Sequence, residues 1–134
     1  MLRLEIVALY GGVNILLLLA LAFLVVGGRR RHKISLGDGG NADFTRAMRA
    51  HANAAEYIPA GLVGLLLLAL LDPAAPTWLL HAAGLTLTAG RLLHGFGMHA
   101  GTLNLGRQLG TALTWLSYVL LGGGLIYSGL AQRL

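Results

Sequence analysis

Apolar residues fall in long unbroken blocks, at about 4–28, 58–71, 77–98 and 105–130, with short polar breaks between them. No stretch alternates polar and apolar as a half-buried strand does, and each block outruns an ordinary strand. Crossing a bilayer takes roughly 20 apolar residues in a helix. The pattern predicts an all-α, integral membrane four-helix bundle forming a single domain over residues 1–134. The first block exceeds the 7–15 apolar residues typical of a signal peptide. Arg29, Arg30, Arg31 and Lys33 follow it where a cleavage site would need small residues. It reads as a retained first helix.

The second block is the informative one. Residues 58–71 number only 14, or roughly 21 Å of helix against a hydrocarbon core of roughly 30 Å. The helix must start earlier, near residue 44, with Asn41 or Asp43 as its cap after the turn-like Gly37-Asp38-Gly39-Gly40. It then takes in the polar run from Arg46 to Tyr57. At 100° per residue, Arg46, Arg49, Asn53, Glu56 and Tyr57 share an arc of about 100°, while His51 lies nearly opposite. Ionisable groups at membrane depth mark function by default, although an arginine near a surface can also snorkel to headgroups.

The other blocks repeat the theme. Arg91 and His94, three apart, share one face of the third helix. Arg107 opens the fourth, with Thr111, Thr114 and Tyr118 following on the same side. One polar stripe per helix, all near one end, predicts converging walls of a pocket. His94 has no neighbours at metal-ligand spacing, so no metal site is expected. His32, His81 and His99 read as incidental.

Composition narrows the function. Only 11% of the 134 residues are charged and 56% are hydrophobic, against about 25% charged in soluble domains. The net charge of +5 is concentrated after the first block, as in a cytoplasmic anchor facing anionic lipid. No nucleic-acid motif accompanies it, and no nucleic-acid partner is expected. The absence of cysteine excludes disulfides, thiolate metal sites and thiol chemistry borne by the protein. Many of the 20 glycines lie inside spans, where small residues let helices approach. With no strand before a glycine-rich turn, a phosphate loop fails its context. Basic residues put the first and third connections in the cytoplasm and both termini on the opposite side, with Trp78 and Tyr127 near that far interface.

A pocket rich in arginine, with one carboxylate and one amide, suits a small polyanion that also carries an ammonium. Glutathione fits, and so do other anionic metabolites and lipid headgroups. An enzyme, a non-catalytic binder of an anionic metabolite or lipid, and a small transporter are all compatible with these residues.

The run Arg49-Ala50-His51-Ala52-Asn53-Ala54-Ala55-Glu56-Tyr57-Ile58-Pro59 resembles the signature of the membrane-associated proteins in eicosanoid and glutathione metabolism, the MAPEG family. Arg91-Leu92-Leu93-His94 and Arg107 supply two further matches, and the chain looks like a short bacterial member. The resemblance implies a homotrimer in a bacterial inner membrane, with glutathione held between subunits at the cytoplasmic end. It implies binding by Arg49, Asn53 and Glu56, with Tyr57 and Arg46 nearby. One arginine of the first loop, assigned to Arg30, would join them, and Arg91 and His94 would support the site. Arg107 would be catalytic, stabilising the glutathione thiolate against a lipophilic second substrate from the membrane, in a transferase or peroxidase reaction. Ala52, Met98 and Thr111 depart from residues found in some relatives, which leaves the second substrate open.

Overall fold

The computed structural model describes residues 3–101 and 104–131, which form four helices: α1 Arg3–His32, α2 Ala42–Leu71, α3 Thr77–His99 and α4 Leu105–Ala131. No strand occurs among the described residues. The all-α reading holds, and the helix ends show what sets their lengths. α1 continues past residue 28, so that Arg29, Arg30, Arg31 and His32 form its last turn. Cations there meet the negative end of the helix dipole. Lys33 then stops the helix in a left-handed backbone, φ 54°. Arg29 draws the following loop back, donating to the carbonyls of Ser35 (3.1 Å) and Gly37 (3.4 Å).

α2 does incorporate the polar run. Its cap is Asn41, whose Oδ1 accepts from the Phe44 amide at 2.9 Å. Asp43 sits in the first turn instead and pairs with Arg46. Pro59 lies inside α2, yet the helix is continuous to Leu71. The proline leaves one carbonyl of the preceding turn without its usual donor.

α2 and α3 form the middle of the bundle. α1 packs on both of them from one side and α4 from the other, and α1 does not touch α4. α1 buries only Ile6, Asn14 and Leu21, spaced about two turns apart along a single seam. Ile15, Leu16 and Phe23 point outward, each more than 60% exposed. In water such a surface would be an aggregation hazard; against acyl chains it is the proper exterior.

By length and composition, α1, α2 and α4 are long and apolar enough to cross a membrane; α3 is not among them. His81, Thr86, Thr88, Arg91 and His94 dilute its apolar character. Like α2, it packs against all three other helices. Asn14 of α1 donates to Thr88 Oγ1 at 2.7 Å, and Tyr10 shares a 3.2 Å hydrogen bond with His81. His81 is therefore part of the α1–α3 seam rather than incidental.

The end of the bundle at the α2–α3 turn is closed by polar hooks. Arg3 donates to the carbonyls of Leu68 (3.1 Å) and Ala69 (3.2 Å) in the last turn of α2, where carbonyls run short of helical donors, and to that of Ala75 in the turn beyond it. Asp72 accepts from Ser128 of α4 at 2.6 Å and from the amides of Ala74 and Ala75. The Ser128 hydroxyl, helped by those amides and by Arg3, holds the Asp72 carboxyl below the usual aspartate range. Trp78 and Tyr127 are both exposed at this end.

Candidate functional site

Arg91 organises the interior. It is 2% exposed, in a helix whose other buried groups are mostly small or apolar. Its Nε donates to Thr114 Oγ1 at 2.9 Å, Nη1 to Asn53 Oδ1 at 2.5 Å and Nη2 to the Gly110 carbonyl at 3.3 Å. Its guanidinium also lies 5.1 Å from the centre of the Tyr57 ring, within cation–π range. No carboxylate reaches it among the described residues. The charge is instead spread over neutral acceptors from α2 and α4, which suits the planar fork of arginine better than the point charge of lysine.

Close backbone approach makes these contacts possible. A Cβ on Gly90 would stand 2.6 Å from Thr114 Oγ1 and 2.8 Å from the Gly110 carbonyl. One on Gly110 would stand 2.5 Å from the His94 amide nitrogen. Glycine at both crossing points lets α3 and α4 touch backbone to backbone. Tyr118 of α4 then reaches α2, donating to the Tyr57 carbonyl at 2.8 Å, with the two rings 5.6 Å apart.

Arg107 belongs to a second, adjoining arrangement. Asn104 Oδ1 accepts from the Arg107 amide at 3.1 Å and Asn104 Nδ2 donates to Gly97 O at 2.8 Å, fixing the start of α4 against the end of α3. Arg107, His94, Gln108, Thr111, Ala112 and Trp115 line a cavity of about 310 Å³. The Arg107 Nε is buried with no hydrogen-bond partner among the described residues. A buried donor of that kind costs about 1–3 kcal/mol unless something accepts from it.

The expected site residues thus separate into groups. Asn53, Tyr57 and Arg91 come together, joined by Thr114 and Tyr118. His94 and Arg107 meet at the neighbouring cavity. Arg49 and Glu56 are exposed on α2 and make no ion pair among the described residues. Arg46 is engaged with Asp43, and Arg30 is exposed at the end of α1. Gly110, Gln108 and Trp115 were not anticipated. Gly110 lies about a turn and a half into α4, at a spacing only the partner helix explains. Gln108 and Trp115 flank the Arg107 stripe rather than lying on it. Among the described residues, no cluster of histidine and acidic side chains could hold a metal.

The model of the MAPEG family matches residues 7–127, which includes every residue of both arrangements. The chain belongs to the MAPEG family. A curated relative is the inner membrane protein YecN of Escherichia coli K12, 38% identical over 114 residues, covering 85% of each chain. YecN of E. coli O6:H1 matches to the same extent. This chain is thus a MAPEG membrane protein in which the arginine of α3 is fully committed inside the subunit. The arginine of α4 faces a cavity, and the charged face of α2 is left open.

Proposed function

We propose that this protein is a glutathione-dependent transferase or peroxidase of the bacterial inner membrane, acting on a lipophilic electrophile. The observation that carries the reading is the half-buried Arg107, which lines a cavity and whose buried Nε has no hydrogen-bond partner among the described residues. The cavity volume of about 310 Å³ stands at the lower end of the roughly 300–1,000 Å³ of small-molecule sites. The donor set fits glutathione: Arg49 and Arg30 for carboxylates, Glu56 for the ammonium, and the free amide end of Asn53 for a peptide carbonyl. In one subunit Arg49 and Glu56 face outward, away from any such cavity. In a homotrimer a neighbouring subunit brings the two halves face to face.

Glutathione supplies the thiol, which the chain itself lacks. Arg107 cannot act as a base, because a guanidinium stays protonated. Its role is electrostatic: a fixed positive group beside the sulfur favours the thiolate of a thiol that otherwise ionises near pH 8.5. The proton leaves to water at the cytoplasmic face. Arg91 positions Asn53 and Tyr57 rather than touching substrate, and His94 walls the cavity. The four helices are continuous over the described residues, unlike the broken helices of many transporters.

The test is conjugation of glutathione to a generic electrophile by the detergent-purified protein. Arg107→Ala is expected to lower the rate on the order of a hundredfold, as loss of a transition-state donor does. Glu56→Gln is expected to weaken glutathione binding about tenfold, as loss of a charged hydrogen bond does. If wild type neither binds nor conjugates glutathione, the enzymatic reading is wrong. If Arg107→Ala reacts at the wild-type rate, the catalytic assignment is wrong.

A further inference from the structure

A crevice runs down the outside of the bundle along α1, against the start of α2 at its upper end and against α3 lower down, and shares no lining residue with the Arg91 and Arg107 arrangements. Its upper part, about 350 Å³, is bounded by Arg31, His32, Asp43, Phe44 and His99. Its lower part, about 150 Å³, is walled by Leu17, Ala20, Leu21, Leu92 and Phe96. The two parts adjoin at Leu24 and His99, which line both. The crevice is polar and basic at the end of α1 and wholly aliphatic or aromatic further in.

We propose that this crevice binds one anionic phospholipid, its phosphate at Arg31 and His99 and one acyl chain along Leu24 to Leu17. The charge balance favours it. Asp43 is the one acidic residue at the rim, and Arg46 already neutralises it. Arg29 is turned toward the loop carbonyls, whereas Arg31 lines the crevice, with exposed Arg30 and Lys33 beside it. A positive field of this kind attracts anionic headgroups. Phe44 floors the headgroup end at Gly28, where a Cβ would lie 2.5 Å from its ring, whereas Gly27 looks onto open space. The chain slot below it is lined by Leu17, Ala20, Leu21, Leu92 and Phe96, with no polar surface beyond His99 at its top.

Within a bilayer an acyl chain gains no hydrophobic free energy by leaving its neighbours for a groove, since both surroundings are apolar. The preference must therefore come from the headgroup. The site should discriminate phosphatidylglycerol from phosphatidylcholine, not lipid from no lipid.

Native mass spectrometry of the full-length protein, equilibrated with each of these two lipids in mixed micelles, tests this. Phosphatidylglycerol adducts should dominate. Arg31→Gln should cut their preference about fivefold, one basic contact at a surface. Ala20→Trp, on an exposed position of α1, should fill the slot and cut retention about tenfold or more. Arg49→Ala and Glu56→Gln should leave adducts unchanged, separating this site from the glutathione reading. Equal retention of both lipids, or retention unaffected by Arg31→Gln and Ala20→Trp, would overturn the proposal. So would a change in oligomeric mass with Ala20→Trp, which would assign the crevice to a second copy of the chain.

Discussion

Arg91 and Arg49 have the same side chain and opposite circumstances. Arg91 is enclosed and makes three donations; Arg49 is exposed and makes no ion pair among the described residues. Arg91→Ala removes those bonds, strips Asn53 Oδ1 of its donor and leaves a hole. It is expected to cost about 3 kcal/mol or more. Arg49→Ala should fall within about 0.5 kcal/mol of wild type, although it removes a residue expected to bind glutathione. Arg91→Lys should lie between Arg91→Ala and wild type, because one ammonium cannot reproduce the planar fork. Thermal midpoints in detergent would rank the three. The helical wheel gathered Arg46, Arg49, Asn53, Glu56 and Tyr57 within about 100°, whereas the structure turns Asn53 and Tyr57 onto Arg91 and leaves Arg49 and Glu56 exposed. What the wheel cannot show is that Arg91 comes from another helix to claim Asn53 and Tyr57. That depends on how closely α3 can approach, which is a matter of backbone at Gly90 and Gly110. Residue types marked which groups could carry chemistry, while packing decides which of them are engaged inside the bundle.

Among elements, the α3–α4 contact is where glycine is required rather than merely tolerated. Alanine in a helix interior gains about 1 kcal/mol over glycine, whereas overpacking costs about 1–3 kcal/mol. At Gly110 a methyl would meet the His94 amide and the Gly90 carbonyl, neither of which can rotate away. The clash should win, so Gly110→Ala is expected to lower the thermal midpoint and disturb the Arg107 cavity. At Gly123 nothing lies within 4 Å, and Gly123→Ala should raise it. A circular-dichroism melt of both variants decides the point, and a stabilised Gly110→Ala would refute the close-contact argument. The helices themselves were legible from block length, even for α2, whose polar opening had to be inferred from a shortfall of about 9 Å. The overrun of α1 was not legible, because a dipole and a basic turn extended a helix beyond its apolar residues. Block length alone equates α3 with the other helices, although its polar residues make it less apolar than they are.

For the molecule as a whole, the two ends of the bundle are held differently. One end carries the basic turn and the open charged face; the other is hooked by Arg3, Asp72 and Ser128. The Asp72 carboxyl ionises below its ordinary value of 3.8. Its contribution is therefore fully present above that value and disappears as pH falls through the lowered folded value. Wild type should lose thermal stability below about pH 3.8, and Asp72→Asn should show less of that loss while starting lower at pH 7. Melts across pH 3–7 in detergent would show it; identical pH profiles would mean the hook does not titrate.

The Arg3 clasp also has a consequence in time. Its carbonyl partner at Ala75 lies 72 residues further along the chain. At about 5–20 residues per second of synthesis, that partner is made roughly 4–14 seconds after the arginine. For that interval the first helix waits in the membrane with its clasp open. The contact closes only when α2 has come back beside α1 and the turn into α3 has formed, so a residue at the very start of α1 is among the later ones to find its place.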